Sequence, residues 1–436
     1  MNQEQESHKS SAGSLLITNI GQLATPDGSC GTPLTGPRLG SIRTIKDAAI
    51  YCKGGMIARV GPREEVEHWV EGAGADVALL DAGRRVAVPG FVDPHTHLVF
   101  EGNRALEFEQ RIRGAGYLEI LASGGGILDT VHRTREATAE RLLDRALARA
   151  RLMAASGTTT VEVKSGYGLD LMSEVKILQV VQAMNQKVPM DFIPTFLGAH
   201  AVPPEFAGDA GGFVEYLVAE ALPVIASLGL AEFADVFCET GVFSPEQSRR
   251  VLLASREKGL LPKIHADEMA SSGGAEVAAE VGAVSADHLV KVSSAGMDLM
   301  ANKGVIAVLL PATSLFMGTR EGAPAREMIS RGIAIALATD CNPGTSPVTS
   351  MQLVMSLASS YLRMTPGEAL SAATLNAAFA VNRGHTLGAL EQGRRADIVI
   401  MDAEDYREIA YFMGSNLACA VMKDGSVLAS DGRPGF

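Results

Sequence analysis

At 436 residues, 47% of them hydrophobic and 20% charged, the chain has ample material for a large apolar core and does not have the composition of a disordered protein. A net charge of −12 without long basic runs argues against a nucleic-acid or membrane partner and leaves a small molecule as the expected ligand. The five cysteines (Cys30, Cys52, Cys238, Cys341, Cys419) are scattered and never form a Cys-x-x-Cys pair, so neither a disulfide framework nor a thiolate zinc knuckle is indicated, which suits a reducing compartment.

The opening "MNQEQESHKSSAGS" is polar and lacks an apolar signal core. Disorder, if any, is expected in its first dozen residues. No later stretch offers about 20 uninterrupted apolar residues, so a soluble cytoplasmic protein is expected. Up to residue 87 the chain reads as strands: "SLLITNIGQL", "AAIYCKGGMIARVG" and "VALLDAGRRVAV". Lys53-Gly54-Gly55 sits between apolar runs and predicts a two-residue hairpin.

From residue 88 short apolar runs alternate with segments of helical period. Eight strands are predicted, over 88–95, 158–164, 190–196, 233–239, 261–267, 284–289, 305–311 and 333–340. Between the first two, 138–155 carries an apolar stripe of Leu143, Leu147, Ala150 and Ala154, with Arg141, Arg145 and Arg149 on another face read as solvated surface. After residue 385, "ADIVIMDA" and "ACAVMKDGSVLA" are strand-like again, with a second predicted hairpin at Lys423-Asp424-Gly425. Eight alternations over some 250 residues match an α/β fold of the (β/α)8 TIM-barrel type. The barrel is expected to span 88–385, with a small β-sandwich domain built from both chain ends, 1–87 and 386–436.

Successive strand residues point to opposite faces, so His95 and His97 face the same way, about 6.6 Å apart along the chain. A lone His-x-His is a common accident. Barrel enzymes, however, draw their catalytic groups from the C-terminal ends of several strands, and His265, His288 and Asp340 end the predicted fifth, sixth and eighth. Imidazoles and a carboxylate suit Zn2+ or Fe2+, and a position left open for water makes hydroxide available near neutral pH. Glu239 ends the fourth strand and leaves a second, bridged ion open, whereas Lys164, on the second strand, is in the wrong place to bridge. "SGGGIL" at 123–128 lacks the phosphate-loop pattern and reads as a flexible pocket loop.

The His-x-His on the first strand, His265 and His288 on the fifth and sixth, and Asp340 on the eighth resemble the amidohydrolase superfamily. The runs "PGFVDPHTHLVF", "VEVKSGYGL", "PTFLGAHAVPPE", "DVFCETGVF", "KIHADE", "SADHL" and "ATDCNPG" are similar to one branch of it, which hydrolyses the ring amide of 4-imidazolone-5-propanoate in histidine degradation. The likeness spans about 86–380 and returns at "MGSNLACAVMKDG". It implies one divalent transition metal, Zn2+ or Fe2+, held by His95, His97, His265 and Asp340. It also implies substrate contacts from Arg104, Tyr117, Tyr167, His200, Glu268, Asn342, Gly344 and Thr345, catalytic roles for Glu268, His288 and Asp340, and a homodimer. Arg104 is a planar fork suited to a carboxylate. Cys341 stands where this branch is expected to have phenylalanine, and it is read as a buried packing residue because it alternates with Asp340. A deaminase or other cyclic amidase on the same barrel, and a metal-free scaffold, are the rival readings.

Overall fold

Two sheets organise the chain, and Gly90 is where it passes from one to the other. In the computed structural model, which describes residues 13–29, 31–72, 77–114 and 125–436, the strand expected over 88–95 is divided. Val86–Pro89 pairs with Ile398–Met401 in one sheet, whereas Phe91–Asp93 pairs with Thr158–Lys164 in the other. Pro89 has no N–H to continue a ladder. Gly90 lies so close to Thr159 that a Cβ there would meet its Oγ1 at 2.6 Å.

The second sheet holds eight parallel strands in sequential order: Phe91–Asp93, Thr158–Lys164, Asp191–Ala199, Phe233–Cys238, Leu261–Ala266, Ser285–His288, Ile306–Leu309 and Ile335–Leu337. The eight expected strands are therefore present, mostly shorter than expected. The first and eighth are joined just beyond their ends, where Thr96 bridges Cys341, His97 N donates to Cys341 O at 3.0 Å, and Asp340 N donates to His95 O at 3.1 Å. This closes the sheet into the (β/α)8 barrel. The helix Ala139–Ala155, capped by the Thr138 side chain, buries Leu143, Leu147, Ala150 and Ala154 as the periodicity predicts. Arg149 departs from its expected place on a solvated face. Its guanidinium donates to Leu98 O and Phe100 O at 2.9 and 3.1 Å, and its Cζ lies 3.4 Å from the centre of the Phe100 ring. The chain leaving the first strand has carbonyls that no neighbouring strand can satisfy, and Arg149 supplies the donors. Ala210–Leu228 is long and apolar enough by composition to cross a membrane. Glu215 and Glu220 interrupt it, and Phe213, Leu217, Leu222 and Ile225 pack into the barrel's apolar layer.

The other sheet has nine strands drawn from both ends of the chain, running from Arg433–Pro434 through Ile398–Met401 and Val86–Pro89 to Met56–Pro62. It is one continuous hydrogen-bonded sheet, and Ile17, Ile20, Leu23, Ile50, Ile398 and Met422 from both ends share one apolar cluster. Both expected hairpins are present. Lys53 pairs with Met56 across Gly54-Gly55, and Lys423 pairs with Ser426 across Asp424-Gly425, with positive φ at all four turn residues. This is the conformation for which Gly-Gly and Asp-Gly are favoured. The first dozen residues, where disorder is expected, lie outside the described residues.

An ion cluster ties the sheets together. Asp191, opening the third barrel strand, accepts from Lys423 Nζ at 2.7 Å and Arg395 Nη1 at 2.6 Å, and Lys423 also meets Asp397 at 2.6 Å. Burial alone would raise the Asp191 carboxyl, but Lys423 and Arg395 outweigh it and hold it below the usual range. A carboxyl lowered by folding contributes stability above the unfolded value of about 3.9 and loses that contribution as pH falls through the folded one. Asp191→Asn is therefore expected to lower the melting temperature at pH 7 and to flatten its decline below about pH 4. Thermal melts between pH 3 and 7 check this; an unchanged profile would contradict the assignment.

Candidate metal centre and active site

At the barrel mouth, ligand atoms from three places in the chain converge. His95 Nε2 and His97 Nε2 lie 3.5 and 3.6 Å from Asp340 Oδ1, and His265 Nε2 lies 3.4 Å from His97 Nε2. A tetrahedral ion about 2.1 Å from each donor would set the donors about 3.4 Å apart. The four side chains are buried, and His95 Nε2 has no hydrogen-bond partner among the described residues. A buried polar atom without a partner is costly, and an ion would satisfy it. Spacing, donor chemistry and the unpartnered nitrogen all fit a divalent transition metal.

Three of the four side chains have a polar neighbour behind them, whereas His97 Nδ1 has no hydrogen-bond partner among the described residues. His95 Nδ1 lies 2.6 Å from Asp287 Oδ2, and His265 Nδ1 lies 3.1 Å from Asp235 Oδ2. Asp340 Oδ2 accepts from Thr313 Oγ1 at 2.6 Å, which leaves Oδ1 for the centre. Carboxylates behind ligating imidazoles fix ring orientation and tautomer. Burial, then Lys164 for His95 and neighbouring imidazoles for His97 and His288, pushes these three rings well below the ordinary imidazole range, towards the neutral form that ligates, whereas at His265 burial is outweighed by Asp235, which raises it. Burial raises Asp340 to about 6, and an adjacent cation would favour its ionised form.

Two of these residues are bent into place. His288 (φ 77°) ends the sixth strand and Asp340 (φ 54°) follows the eighth, both in the left-handed region that non-glycine residues rarely adopt. Such strain persists only where surrounding structure imposes it, and it clusters at functional sites. The His288 ring lies 5.4 Å from that of His95 and 5.2 Å from that of His265, while His288 Nδ1 is 3.6 Å from Glu268 Oε1. Glu268 rides on a loop pinned from both sides. Asp267 accepts from Ser272 N, Gly273 N and Ala275 N at 2.7, 3.0 and 3.0 Å. Glu239 accepts from Thr240 N, Met269 N and Ser272 Oγ at 2.7, 2.8 and 2.5 Å. Both Glu239 oxygens are thus engaged in holding that loop, and among the described residues Glu239 belongs to no group of converging ligands.

This barrel and mouth have counterparts. The amidohydrolase family description matches residues 86–428. Imidazolonepropionase from Geobacillus thermodenitrificans is 46% identical over 419 residues, covering 96% of this chain and 99% of that one. The chain belongs to the amidohydrolase family, in its imidazolonepropionase branch. Imidazolonepropionases from Geobacillus sp. strain WCH70 and Brevibacillus brevis are 48% and 46% identical, each covering 96% of the chain. Among solved structures, a triazine hydrolase variant has a TM-score of 0.73 at 20% identity, covering 97% of this chain and 96% of that one. E. coli guanine deaminase has a TM-score of 0.69 at 16% identity, covering 96% and 99%. At such identities the structural likeness speaks for the amidohydrolase barrel alone.

The residues expected to meet an imidazolonepropionase substrate are distributed as follows. Arg104 precedes the helix Ala105–Ile112 and lies flat against Gly344, where a Cβ would fall 1.7 Å from its Nη2. Its Nη1 is 3.7 Å from Glu107, and its Nε is buried without a hydrogen-bond partner among the described residues. Tyr167 is buried in a loop whose amides at Gly166, Gly168 and Leu169 all donate to Glu174. His200 Nδ1 is 3.0 Å from Gly166 O, and its ring stacks on His97 at 4.9 Å. Asn342 and Thr345 bond each other: Asn342 Oδ1 accepts from Gly344 N and Thr345 N, both at 2.8 Å, and Asn342 Nδ2 donates to Thr345 Oγ1 at 2.8 Å. They shape the turn on which Arg104 rests. Of the glycine-rich loop, Gly126 N donates to Glu107 Oε2 at 2.9 Å. Tyr117 lies outside the described residues. Cys341 is buried beside the Thr96 bridge as a packing residue, its thiol pushed up to about 12 by burial.

Sequence reasoning missed Asp235, Asp287 and Thr313. A signal was present for the aspartates. Asp235 is the one charged residue on the strand Phe233–Cys238, and Glu162 and Lys164, Lys263 and His265, and Ser285 and Asp287 are polar pairs two residues apart on their strands. That spacing turns both members of each pair to one face.

Proposed function

We infer that the chain hydrolyses the ring amide of 4-imidazolone-5-propanoate to N-formimino-L-glutamate, an imidazolonepropionase activity in histidine catabolism. The observation that carries this reading is near-full-length identity of 45–48% to imidazolonepropionases, supported by overlapping groups of buried histidines and Asp340 at the barrel mouth that could hold an ion. His95, His97, His265 and Asp340 would hold one Zn2+ or Fe2+. Such an ion, when bound, lowers the pKa of water and polarises a carbonyl.

The remaining work belongs to the chain's own groups. Arg104 pairs with the propionate, and Tyr167 and His200 border the ring. Asn342, Gly344 and Thr345 form the turn beneath. Glu268 accepts the proton from the attacking water and delivers it to the ring nitrogen as the C–N bond breaks, since an unprotonated amide nitrogen is a poor leaving group. Asp340 is the alternative carrier, but a carboxylate beside a cation is the weaker base. His288 hydrogen-bonds the water or the oxygen that gains charge, a contact worth about 3 kcal/mol.

An ultraviolet assay of imidazolone propionate decay, with and without chelator, tests the reading. Decay far above the spontaneous rate, lost on chelation and restored by Zn2+ or Fe2+, is expected. Spontaneous-rate decay by metal-loaded protein would overturn it. Elemental analysis distinguishes the two ions, and light scattering tests the expected homodimer; a cytoplasmic location without nucleic-acid or membrane partners completes the proposal. Gly344→Ala would push the Arg104 guanidinium off its seat. It is expected to raise KM by roughly 10–100-fold, the loss of one charge-assisted contact, with a smaller effect on kcat. Steady-state kinetics on the variant check this.

A further inference from the structure

Beneath the metal centre the barrel interior holds a charge cluster that the mechanism above does not use. Lys164 is fully buried on the second strand. Its Nζ lies 2.7 Å from Asp235 Oδ2, 3.4 Å from Asp287 Oδ2 and 2.9 Å from Glu162 Oε1. The two aspartate oxygens are the same atoms that face His265 Nδ1 at 3.1 Å and His95 Nδ1 at 2.6 Å. Lys263, equally buried, takes the other side of Glu162 at 3.1 Å and donates to Pro94 O and Ala380 O at 2.9 and 3.4 Å.

We propose that Lys164 is a positioning residue for the metal centre: its single ammonium fixes the Asp235 and Asp287 oxygens that aim His265 and His95. This rests on the ligand reading given above. The physical reason is geometric and electrostatic. Two carboxylates in a water-free interior repel each other, and each needs a cation or donors to remain in place. One ammonium between them supplies the shared cation on the oxygens that set the imidazole orientation, while their other oxygens accept from Val236 N, His265 N and Ser285 Oγ. The ligating histidines come from different strands, so without this link each aspartate would settle independently and the two Nε2 atoms would lose their common focus. Groups behind a ligand in this way typically change metal affinity by about 10–100-fold when removed. The ammonium of Lys164 meets Glu162, Asp235 and Asp287, and its effect on the centre passes through the two aspartates.

The test is metal affinity, measured by chelator competition for Zn2+ on wild type, Lys164→Met, Asp287→Asn and the double variant. Circular dichroism and thermal melts establish that each is folded. Lys164→Gln, which keeps a polar end in the same space, is measured in parallel should Lys164→Met not fold. Lys164→Met is expected to weaken Zn2+ binding by about 10–100-fold. Its effect and that of Asp287→Asn are expected to be non-additive, because both break one chain of contacts. A folded Lys164 variant with wild-type affinity, or effects that simply add, would overturn the proposal. Wild type failing to bind Zn2+, or binding it equally well as His95→Ala, would overturn the ligand reading instead.

Discussion

Glu268→Gln is expected to lower turnover by about a thousandfold while metal content stays near one ion per chain. Glu268 is suited to move a proton because its side chain is 20% exposed at the mouth, next to His288, on a loop that Asp267 and Glu239 clamp from either side. Glutamine keeps the shape and cannot accept the proton, so binding survives while the chemical step fails. Burial, followed by the nearby Asp340 carboxylate, raises Glu268 to about 8. A base must be ionised to act, so activity should fall as pH drops through a value above the ordinary carboxylate range. That acidic limb should vanish in the variant. Kinetics across pH 5 to 9, with metal analysis of the same preparations, measure both effects. Loss of the metal from Glu268→Gln would refute the assignment, because it would show a ligand rather than a proton carrier.

Asp340→Ala should abolish metal retention and lower turnover by roughly 10³–10⁴-fold, several kcal/mol of lost stabilisation. Asp340 Oδ1 is the atom common to the His95 and His97 contacts, at 3.5 and 3.6 Å. Its removal takes away the one anionic group and leaves three imidazoles. Thr313, which holds Oδ2, would lose its partner as well. The fold itself should persist, since Asp340 N bonds His95 O through the backbone and the barrel remains closed. Metal analysis after dialysis, circular dichroism and the ultraviolet assay check the three parts. Full metal occupancy in the variant would remove Asp340 from the ligand set. These two variants separate the roles: one keeps metal and loses proton transfer, the other loses metal.

Much of this protein was legible in its amino-acid order. The alternation of short apolar runs with helical periods located all eight barrel strands, and Gly54-Gly55 and Asp424-Gly425 located two hairpins, because these signals are local. The positions of His95, His97, His265, His288 and Asp340 at strand ends followed from the same count. What strand spacing could not supply was anything that depends on which strands become neighbours. Val86–Pro89 and Phe91–Asp93 form one apolar run in sequence and enter different sheets, because Gly90 makes a close approach to Thr159 that exists only in the folded barrel. Arg149 looked like surface on its helix and is drawn inward by carbonyls of a segment about 50 residues earlier.

The same limit applies at the site. The candidate ligand types were legible in the sequence alone; how these side chains are aimed is decided by Asp235, Asp287 and Thr313, which lie behind His265, His95 and Asp340. These partners are 30, 192 and 27 residues from the groups they hold. Barrel closure brings them together, and the cost of leaving buried charges unpaired keeps them there.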